Sequence, residues 1–222
     1  MALAVVVPTI GRPEAAACLS ALADQTTAED RVLVVCDRPR RFDWVSLLVE
    51  GIRRQGAQGR WTVWSRDNTG HYGHVARNEA LDHLAALDDG PAWMWSCDDD
   101  DLPAPDALAR IRVAAESDEA EWYLFQMRGG GASPFANVTI PNRGEEILVG
   151  NIGTPMILAP VACEARFGLS ARREFGRTFE PGYFGDYEYA ESLQQKLGDP
   201  VWVPHVVAEI RPDPAVPTIL AS

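Results

Sequence analysis

The chain has 222 residues, 46% of them hydrophobic and 23% charged, which is enough for one domain with a buried core. Acidic residues outnumber basic residues by 32 to 20, and the formal net charge is −12. This composition excludes a largely disordered chain, and the charge argues against a broad basic surface for nucleic acid.

The N-terminus and the cysteines indicate the compartment. The first apolar run ends at Pro8 and has no basic segment before it, so we expect neither a signal peptide nor a membrane span. The four cysteines lie far apart without a CxxC pair, which argues against disulfides and against a zinc site. We therefore expect a cytoplasmic protein.

The first half of the chain alternates apolar runs with amphipathic segments. Strands are predicted at Leu3–Val7, Arg31–Cys36, Trp61–Ser65, Ala92–Cys97 and Glu121–Met127. Helices are predicted after Pro13, after Asp43, after the loop at residues 68–74 and after Pro105. This order is typical of an α/β protein whose mostly parallel sheet carries helices on both faces. Ligands of such sheets bind beyond the carboxyl ends of the strands.

The second half has a less regular pattern, and we predict a smaller hairpin and helix region there. The predicted elements are a hairpin of Val138–Pro141 and Glu146–Val149, a strand at Met156–Ala159, a short helix from Pro160 to Phe167, a loop at Ser170–Gly185, a helix at Asp186–Leu197 and an extended segment at Val201–Ile210. We expect a single domain with two functional halves, residues 1–102 and 103–222.

Four consecutive aspartates, Asp98 to Asp101, directly follow the predicted strand Ala92–Cys97. Adjacent carboxylates repel one another, and a divalent cation removes that cost. Clustered carboxylate oxygens suit Mg²⁺ or Mn²⁺, which keep open positions for phosphate oxygens. The alternative is a solvated acidic turn that caps the next helix, a structural role that fits Asp101. The position at the ligand-binding edge of the sheet favours a metal and nucleotide site.

Two other features point to the same edge. Asp37 follows the second predicted strand, where a carboxylate can accept a hydrogen bond from a ribose or a base; a turn aspartate is the alternative. His71 and His74 lie in a glycine-bearing loop, which we interpret as a nucleotide or sugar contact rather than a metal pair.

Four segments occur in the order and spacing of a known enzyme group. They are VVVPTIGR at 5–12, VVCD at 34–37, ARNEA at 76–80 and SCDDDDLPAP at 96–105. Together they resemble the GT-A fold glycosyltransferases, and most of all family 2, over about the first half of the chain. The resemblance implies a Rossmann-like, mostly parallel sheet with a nucleotide-sugar site.

The resemblance also assigns roles to the aspartates. Counting back from Pro105 makes Asp98 and Asp100 the Asp-x-Asp pair. Asp98 would contact the ribose or the metal, and Asp100 would bind the Mn²⁺ or Mg²⁺ ion that bridges the diphosphate. Asp99 would contact the sugar. The implied nucleotide-sugar contacts are Pro8, Thr9, Arg12, Asp37, Arg77, Asn78, Asp98 and Asp99.

The second half would supply the catalytic base and a further metal ligand. Relatives carry a Glu-Asp pair at the start of a helix, where this chain has Gly185 and Asp186. Asp186 therefore fits the base, Glu188 is the alternative base, and a plain helix cap is the other interpretation of Asp186. Relatives also have an Arg-x-His pattern where this chain has Arg211-Pro212-Asp213, so Asp213 is the candidate third metal ligand.

Aromatic residues cluster before that helix, and they would form either an acceptor platform or a satellite hydrophobic cluster. They are Phe175, Phe179, Tyr183 and Phe184.

These features predict a metal-dependent inverting glycosyltransferase. It would move a sugar from a nucleoside-diphosphate sugar, a UDP-sugar by family frequency, to the hydroxyl of a small molecule, a glycan or a protein. The net charge disfavours a modified nucleic-acid base as acceptor. A sugar nucleotidyltransferase is an alternative, although such enzymes need a glycine-rich phosphate loop and Thr9–Pro13 contains one glycine. A non-catalytic nucleotide-sugar-binding module stays open because Gly185 replaces the glutamate.

Overall fold

The secondary structure follows the apolar runs of the sequence. The computed structural model describes residues 1–66, 71–117, 119–131, 136–174 and 177–211, with the backbone alone for 172–174 and 177. The strands are β1 Leu3–Thr9, β2 Arg31–Cys36, β3 Arg60–Ser65, β4 Trp93–Ser96, β5 Asp101–Pro103, β6 Tyr123–Gly129, β7 Thr139–Ile140, β8 Ile157–Pro160, β9 Arg172–Glu174, β10 Arg177–Phe179 and β11 Val201–Ile210. The helices are α1 Ala15–Ala23, α2 Phe42–Arg54, α3 His74–Ala85, α4 Ala107–Glu116 and α5 Gly185–Leu197, with 3-10 turns at Pro39–Arg41, His71–Gly73 and Thr154–Met156.

The main sheet has the strand order β3-β2-β1-β4-β8-β6-β11-β5, with β7 paired to β6. β1 pairs parallel with β2 and β4, β2 pairs parallel with β3, and β6 pairs parallel with β11. β8 runs antiparallel between β4 and β6, and β5 runs antiparallel beside β11. The mostly parallel α/β architecture predicted from the sequence is therefore confirmed.

Both faces of the sheet are covered. Alternate residues of β1 belong to opposite cores, with Leu3, Val5 and Val7 in one and Ala4 and Val6 in the other. Helices α1, α2 and α4 pack in the first core, and α3 and α5 pack in the second. Burial on both faces explains why this strand is apolar throughout. The carboxyl ends of β1, β2 and β4 meet at one edge, where the predicted site residues emerge.

The hairpin predicted in the second half is wrong. Thr139–Ile140 pairs with β6, and Glu146–Val149 is not a strand. The fully buried side chain of Asn151 explains the difference, because it binds the backbone of this segment. Its carbonyl oxygen accepts the N–H of Asn142 at 3.0 Å, and its amide donates to the carbonyl of Glu146 at 2.7 Å. One side chain thus binds backbone groups that a hairpin would have paired.

The helix predicted between Pro160 and Phe167 is also wrong, since this segment contains one turn, in which Cys163 N–H donates to the carbonyl of Pro160 at 3.2 Å, and no helix. The backbone N–H of Val161 donates to the carbonyl of Ala92 at 2.8 Å. At the other end, the side chain of Asn78 accepts the N–H of Phe167 at 2.8 Å and donates to its carbonyl at 2.9 Å. These tertiary hydrogen bonds hold the segment in an irregular conformation.

Three short strands were not predicted. β9 and β10 pair antiparallel inside the segment that the sequence predicts as a loop. β5 begins at Asp101, whose buried carboxylate accepts the backbone N–H of Arg211 at 3.2 Å. Asp101 is therefore not the solvated cap of the next helix that the sequence suggested, and the N-cap of α4 is Asp106. Among the described residues, no helix has the length and apolar character needed to cross a membrane.

Candidate functional site

A cleft of about 270 Å³ opens at the carboxyl edge of the sheet. Its lining includes the sequence-predicted residues Pro8, Thr9, Arg12, Asp37, Asp98, Asp99 and Asp100, together with Ile10, Arg38, Tyr72, Gly73 and Arg211. Residues predicted on three separate strand ends are therefore brought together. Another cavity, of about 410 Å³, lies beside Leu84, Trp93 and Pro160, and its lining consists of uncharged residues that offer no comparable chemistry.

Asp99 forms hydrogen bonds to the turn that follows β1. Its Oδ2 accepts a hydrogen bond from Thr9 Oγ1 at 2.6 Å and another from the N–H of Ile10 at 3.3 Å. Burial raises the pKa of Asp99 to about 6, although the hydrogen bond from Thr9 acts in the opposite direction. Asp99, which was predicted to contact the sugar, is therefore hydrogen-bonded to Thr9 and Ile10, two residues that line the cleft.

Asp100 is paired with two arginines. It forms ion pairs with Arg12 and with the Nε of Arg211, the latter at 3.4 Å. The side chains of Arg12 and Arg211 are 40% and 55% exposed, so both guanidinium groups remain accessible from the cleft. Two accessible guanidinium groups next to carboxylates can bind an anionic group such as a phosphate.

Arg77 is fully buried and holds Asp98. Its Nε donates to Ser96 Oγ at 2.9 Å, one terminal nitrogen donates to the carbonyl of Tyr72 at 2.9 Å, and the other pairs with Asp98. Ser96 Oγ in turn donates to the carbonyl of Val6 at 2.8 Å. Arg77 does not line the cleft, so it orients Asp98 from within the protein.

His74 supports Arg77 from the first turn of α3. Burial, followed by the charge of Arg77, lowers the pKa of His74 to about 2, so the ring is neutral. Its Nδ1 therefore accepts from Arg77 at 3.3 Å, and the ring hydrogen-bonds to the backbone of Gly182. The imidazole also stacks on Phe167, with ring centroids 5.1 Å apart. His74 thus connects the Arg77–Asp98 pair to the segment before α5.

Asp186, the predicted base, lies in the first turn of α5 and is half-buried. The helix cap position belongs to Phe184, and Asp186 Oδ1 accepts the N–H of Tyr187 at 2.8 Å. Burial raises the pKa of Asp186 to about 6, and the charges of Arg77 and Asp98 act on it in opposite directions. A carboxyl group with this pKa can accept a proton near neutral pH.

Four of the described predicted residues, Arg77, Asn78, Asp186 and Glu188, do not line the cleft. The amide of Asn78 is engaged with the backbone of Phe167 through the two hydrogen bonds described above. Glu188 packs against Gly168, since a Cβ added there would lie 2.9 Å from the Cβ of Glu188. Because residues two apart on a helix do not share a face, Glu188 and Asp186 project in different directions.

Two carboxylates on the cleft, Asp98 and Asp100, could take part in holding a divalent cation, and each of them is paired with arginine in this structure. Within the described ranges, no group of three or more His, Cys, Asp or Glu side chains is arranged to hold a metal. Mg²⁺ is commonly held by one or two carboxylates together with substrate phosphates, and Asp98 and Asp100 provide two carboxylates on the cleft. Asp213, the candidate third ligand, lies outside the described residues.

Several residues of the site were not predicted as site residues from the sequence. Arg211 and Tyr72 line the cleft, and Ser96 supports Arg77. His74, which was predicted to contact the nucleotide or the sugar, is buried and contacts Arg77 instead. The left-handed backbone at Tyr72, with φ of 54°, is unusual for an aromatic residue and carries no sequence signature. The Arg-x-Asp pattern could have indicated Arg211 itself rather than only its neighbour.

No protein-family model matches the chain, and no curated protein matches it. Solved structures do share its fold. S. aureus TarS 1–349 in complex with UDP-GlcNAc has a TM-score of 0.70 at 16% identity, covering 100% of this chain and 62% of that chain. S. aureus TarS has a TM-score of 0.66 at 19% identity, covering 95% of this chain and 36% of that chain.

The mannosyltransferase PcManGT from Pyrobaculum calidifontis, in complex with GDP-Man and Mn²⁺, has a TM-score of 0.61 at 16% identity. The match covers 96% of this chain and 58% of that chain. The present chain thus spans less than two thirds of the length of each of these structures. Its mixed α/β sheet with helices on both faces is the glycosyltransferase fold that the sequence motifs predict.

Proposed function

We propose that the protein transfers a sugar from a nucleoside-diphosphate sugar to an acceptor hydroxyl. The observation that carries the proposal is the cleft at the sheet edge, where Asp37, the Asp98–Asp100 segment and two accessible arginines converge. The shared fold supports it, because structures of that fold hold UDP-GlcNAc, UDP or GDP-Man.

The charges of the cleft suit the two ends of such a donor. Asp37 is buried at the end of β2, where it can accept a hydrogen bond from a ribose or a base. Arg12 and Arg211 offer the diphosphate two guanidinium groups, at the cost of loosening their ion pairs with Asp100. The donor therefore spans the cleft from Asp37 to Asp100, and a UDP-sugar is the donor that we test first.

A divalent cation fits the diphosphate end of this arrangement. Asp98 and Asp100 would hold Mn²⁺ or Mg²⁺, and the bound ion would neutralise charge on the leaving diphosphate. One structure of the shared fold contains Mn²⁺ together with its donor. The cation would also relieve the repulsion among the neighbouring carboxylates.

Asp186 is the proposed general base of an inverting reaction. Its carboxylate takes the proton of the acceptor hydroxyl, and the acceptor oxygen forms a bond to the anomeric carbon. The bond between that carbon and the diphosphate oxygen breaks on the opposite side, and the diphosphate leaves with the electron pair. Arg12 and Arg211 stabilise the charge that develops on the leaving group.

The release of nucleoside diphosphate from UDP- and GDP-sugars, with and without Mn²⁺, tests the proposal. Asp186→Asn is expected to abolish release while donor binding persists in a thermal-shift assay. Glu188→Gln is the matched control and is expected to retain release. The opposite pattern assigns the base to Glu188, and donor binding without release from any donor indicates a binding module instead.

A further inference from the structure

Two tyrosines present their rings to solvent beside the cleft. Tyr72 is 54% exposed and Tyr183 is 51% exposed, although both belong to a packed aromatic group. Their rings meet edge to face, with centroids 5.8 Å apart. Exposed apolar side chains that adjoin one another, unlike single ones, are typical of a binding surface.

The pair rests on a rigid base. Phe179 stacks under Tyr183 with ring centroids 4.8 Å apart, and Phe184 meets both Phe179 and Tyr183 edge to face at 4.8 and 5.0 Å. Phe184 itself is buried. We name Tyr72 and Tyr183, with these two phenylalanines beneath them, the aromatic platform. Ring contacts with the two phenylalanines restrict Tyr183, so less side-chain freedom is lost when a ligand binds.

The backbone beneath Tyr72 is held in a costly conformation. His71, Tyr72 and Gly73 have φ values of 56°, 54° and 77°, all in the left-handed region. Two contacts maintain it: Arg77 donates to the carbonyl of Tyr72 at 2.9 Å, and His71 Nδ1 lies 3.2 Å from the carbonyl of Pro181. Strain of this kind persists where the surrounding structure enforces it, and it is concentrated at functional sites.

The platform lies between the two parts of the proposed active site. Tyr72 lines the cleft together with Asp98, and its carbonyl shares Arg77 with that aspartate. Tyr183 precedes the first turn of α5, which carries Asp186. A ligand on the two rings is therefore next to both the donor cleft and the proposed base.

We propose that the aromatic platform binds a pyranose ring of the acceptor, so that the acceptor is a carbohydrate. This inference rests on the proposed function and narrows its acceptor to one class. A pyranose has an apolar C–H face that covers an aromatic ring, and its hydroxyls remain free for hydrogen bonds at the edge. Glu180, which hydrogen-bonds to the Tyr72 hydroxyl, can accept a hydrogen bond from a sugar hydroxyl at this edge. Its negative charge repels phosphate groups. A nucleobase on Tyr72 would be the competing occupant.

Saturation-transfer NMR with the full chain tests the inference without requiring turnover. The probes are methyl glycosides of glucose, mannose and N-acetylglucosamine, and sorbitol is the acyclic control. We expect transfer to the ring C–H protons of at least one glycoside, and weaker transfer to sorbitol. Tyr183→Ala and Tyr72→Gly should weaken glycoside binding about tenfold, the loss of one good stacking contact.

Three controls make the result decisive. Tyr183→Phe keeps the ring and should keep binding, and Leu47→Ala removes an exposed apolar side chain from α2 and should change nothing. Circular dichroism checks that each variant folds. The inference is overturned if no glycoside shows transfer, if sorbitol matches the glycosides, or if the tyrosine variants lose UDP binding instead. Glycoside binding without nucleotide release would contradict the proposed function but would still support a pyranose site on the aromatic platform.

Discussion

Gly185 and His74 are in direct contact: a Cβ added to Gly185 would lie 2.6 Å from Nε2 of the His74 ring. In the sequence resemblance, Gly185 takes the position of the glutamate in the Glu-Asp pair of the family. The imidazole of His74 fills the space that a side chain at position 185 would need. A glutamate at position 185 would therefore clash with the ring of His74.

This contact predicts that Gly185→Ala destabilises the protein by about 1–3 kcal/mol, because an extra methyl group overpacks a filled site. Urea unfolding measures the change. Gly51→Ala in α2 is the control, since nothing lies within 4 Å of its added Cβ, and it should be neutral or stabilising by up to about 1 kcal/mol. Combining Gly185→Ala with His74→Ala should cost less than the sum of the single changes. Strict additivity would contradict the contact.

Replacing the buried Arg77 should be among the most damaging single changes to the site. Arg77→Met leaves Asp98 without its cation and Tyr72 without a donor to its carbonyl, which we expect to cost about 3–5 kcal/mol. Chemical denaturation measures this cost. Arg110→Met removes an exposed pair with Asp106 and should cost about 0.5 kcal/mol or less. Equal costs for the two variants would contradict the role assigned to Arg77.

The rate of donor turnover should rise with pH through about 6, since burial raises the pKa of Asp186 to about 6 and the proposed base acts when ionised. The pKa of Asp99 lies in the same range, so a control is needed. Thr9→Val removes the hydrogen bond that lowers the pKa of Asp99. If the limb of the kcat/KM profile stays near 6 in this variant, it belongs to Asp186; a limb that moves upward belongs to Asp99.

The same pKa predicts how stability changes with pH. A carboxyl group whose folded-state pKa is raised binds more protons in the folded state than in the unfolded state between about pH 4 and 6. The contribution of Asp186 to the free energy of unfolding therefore falls as pH rises through that interval. Asp186→Asn should become more stable relative to wild type from pH 4 to pH 7 in urea titrations. A constant difference would exclude a raised pKa.

Metal removal should weaken donor binding through Asp98 and Asp100. At a ligand concentration of a hundred times its dissociation constant, binding adds about 2.7 kcal/mol, which a thermal-shift assay detects. We expect EDTA to reduce this stabilisation by UDP, and Asp100→Asn to remove its Mn²⁺ dependence. Because Asp100→Asn removes the ion pairs that Arg12 and Arg211 form with Asp100, metal-independent UDP binding should persist. Asp106→Asn, on the surface of α4, is the control, and an unchanged Mn²⁺ response in Asp100→Asn would contradict the assignment.

The parallel part of the fold could be predicted because its strands are buried on both faces. Runs such as Leu3–Val7 and Val32–Cys36 are apolar throughout, and local composition alone identifies them. The segment from Pro160 to Phe167 shows the limit of this approach. Val161 and Ala165 are buried four residues apart, as in a helix, but hydrogen bonds to the distant residues Ala92 and Asn78 set the backbone.

The candidate site also has features that the sequence could predict and others that it could not. The aspartate run and Asp37 could be predicted because they directly follow strands whose ends share one edge. The hydrogen bonds that tie Asp99 to the turn after β1 could not be predicted, since they depend on Thr9 and Ile10 from another part of the chain. Asn78 was predicted from its position in a motif, and only the tertiary structure places its amide on Phe167.

The pairing of β11 between β6 and β5 has a consequence for synthesis of the chain. The cleft joins residues near position 10 to Arg211, so its two sides come from parts of the chain that are far apart in sequence. Contacts of such long sequence separation form late in folding. A nascent chain on the ribosome therefore cannot assemble the proposed donor site until β11 and Arg211 have emerged.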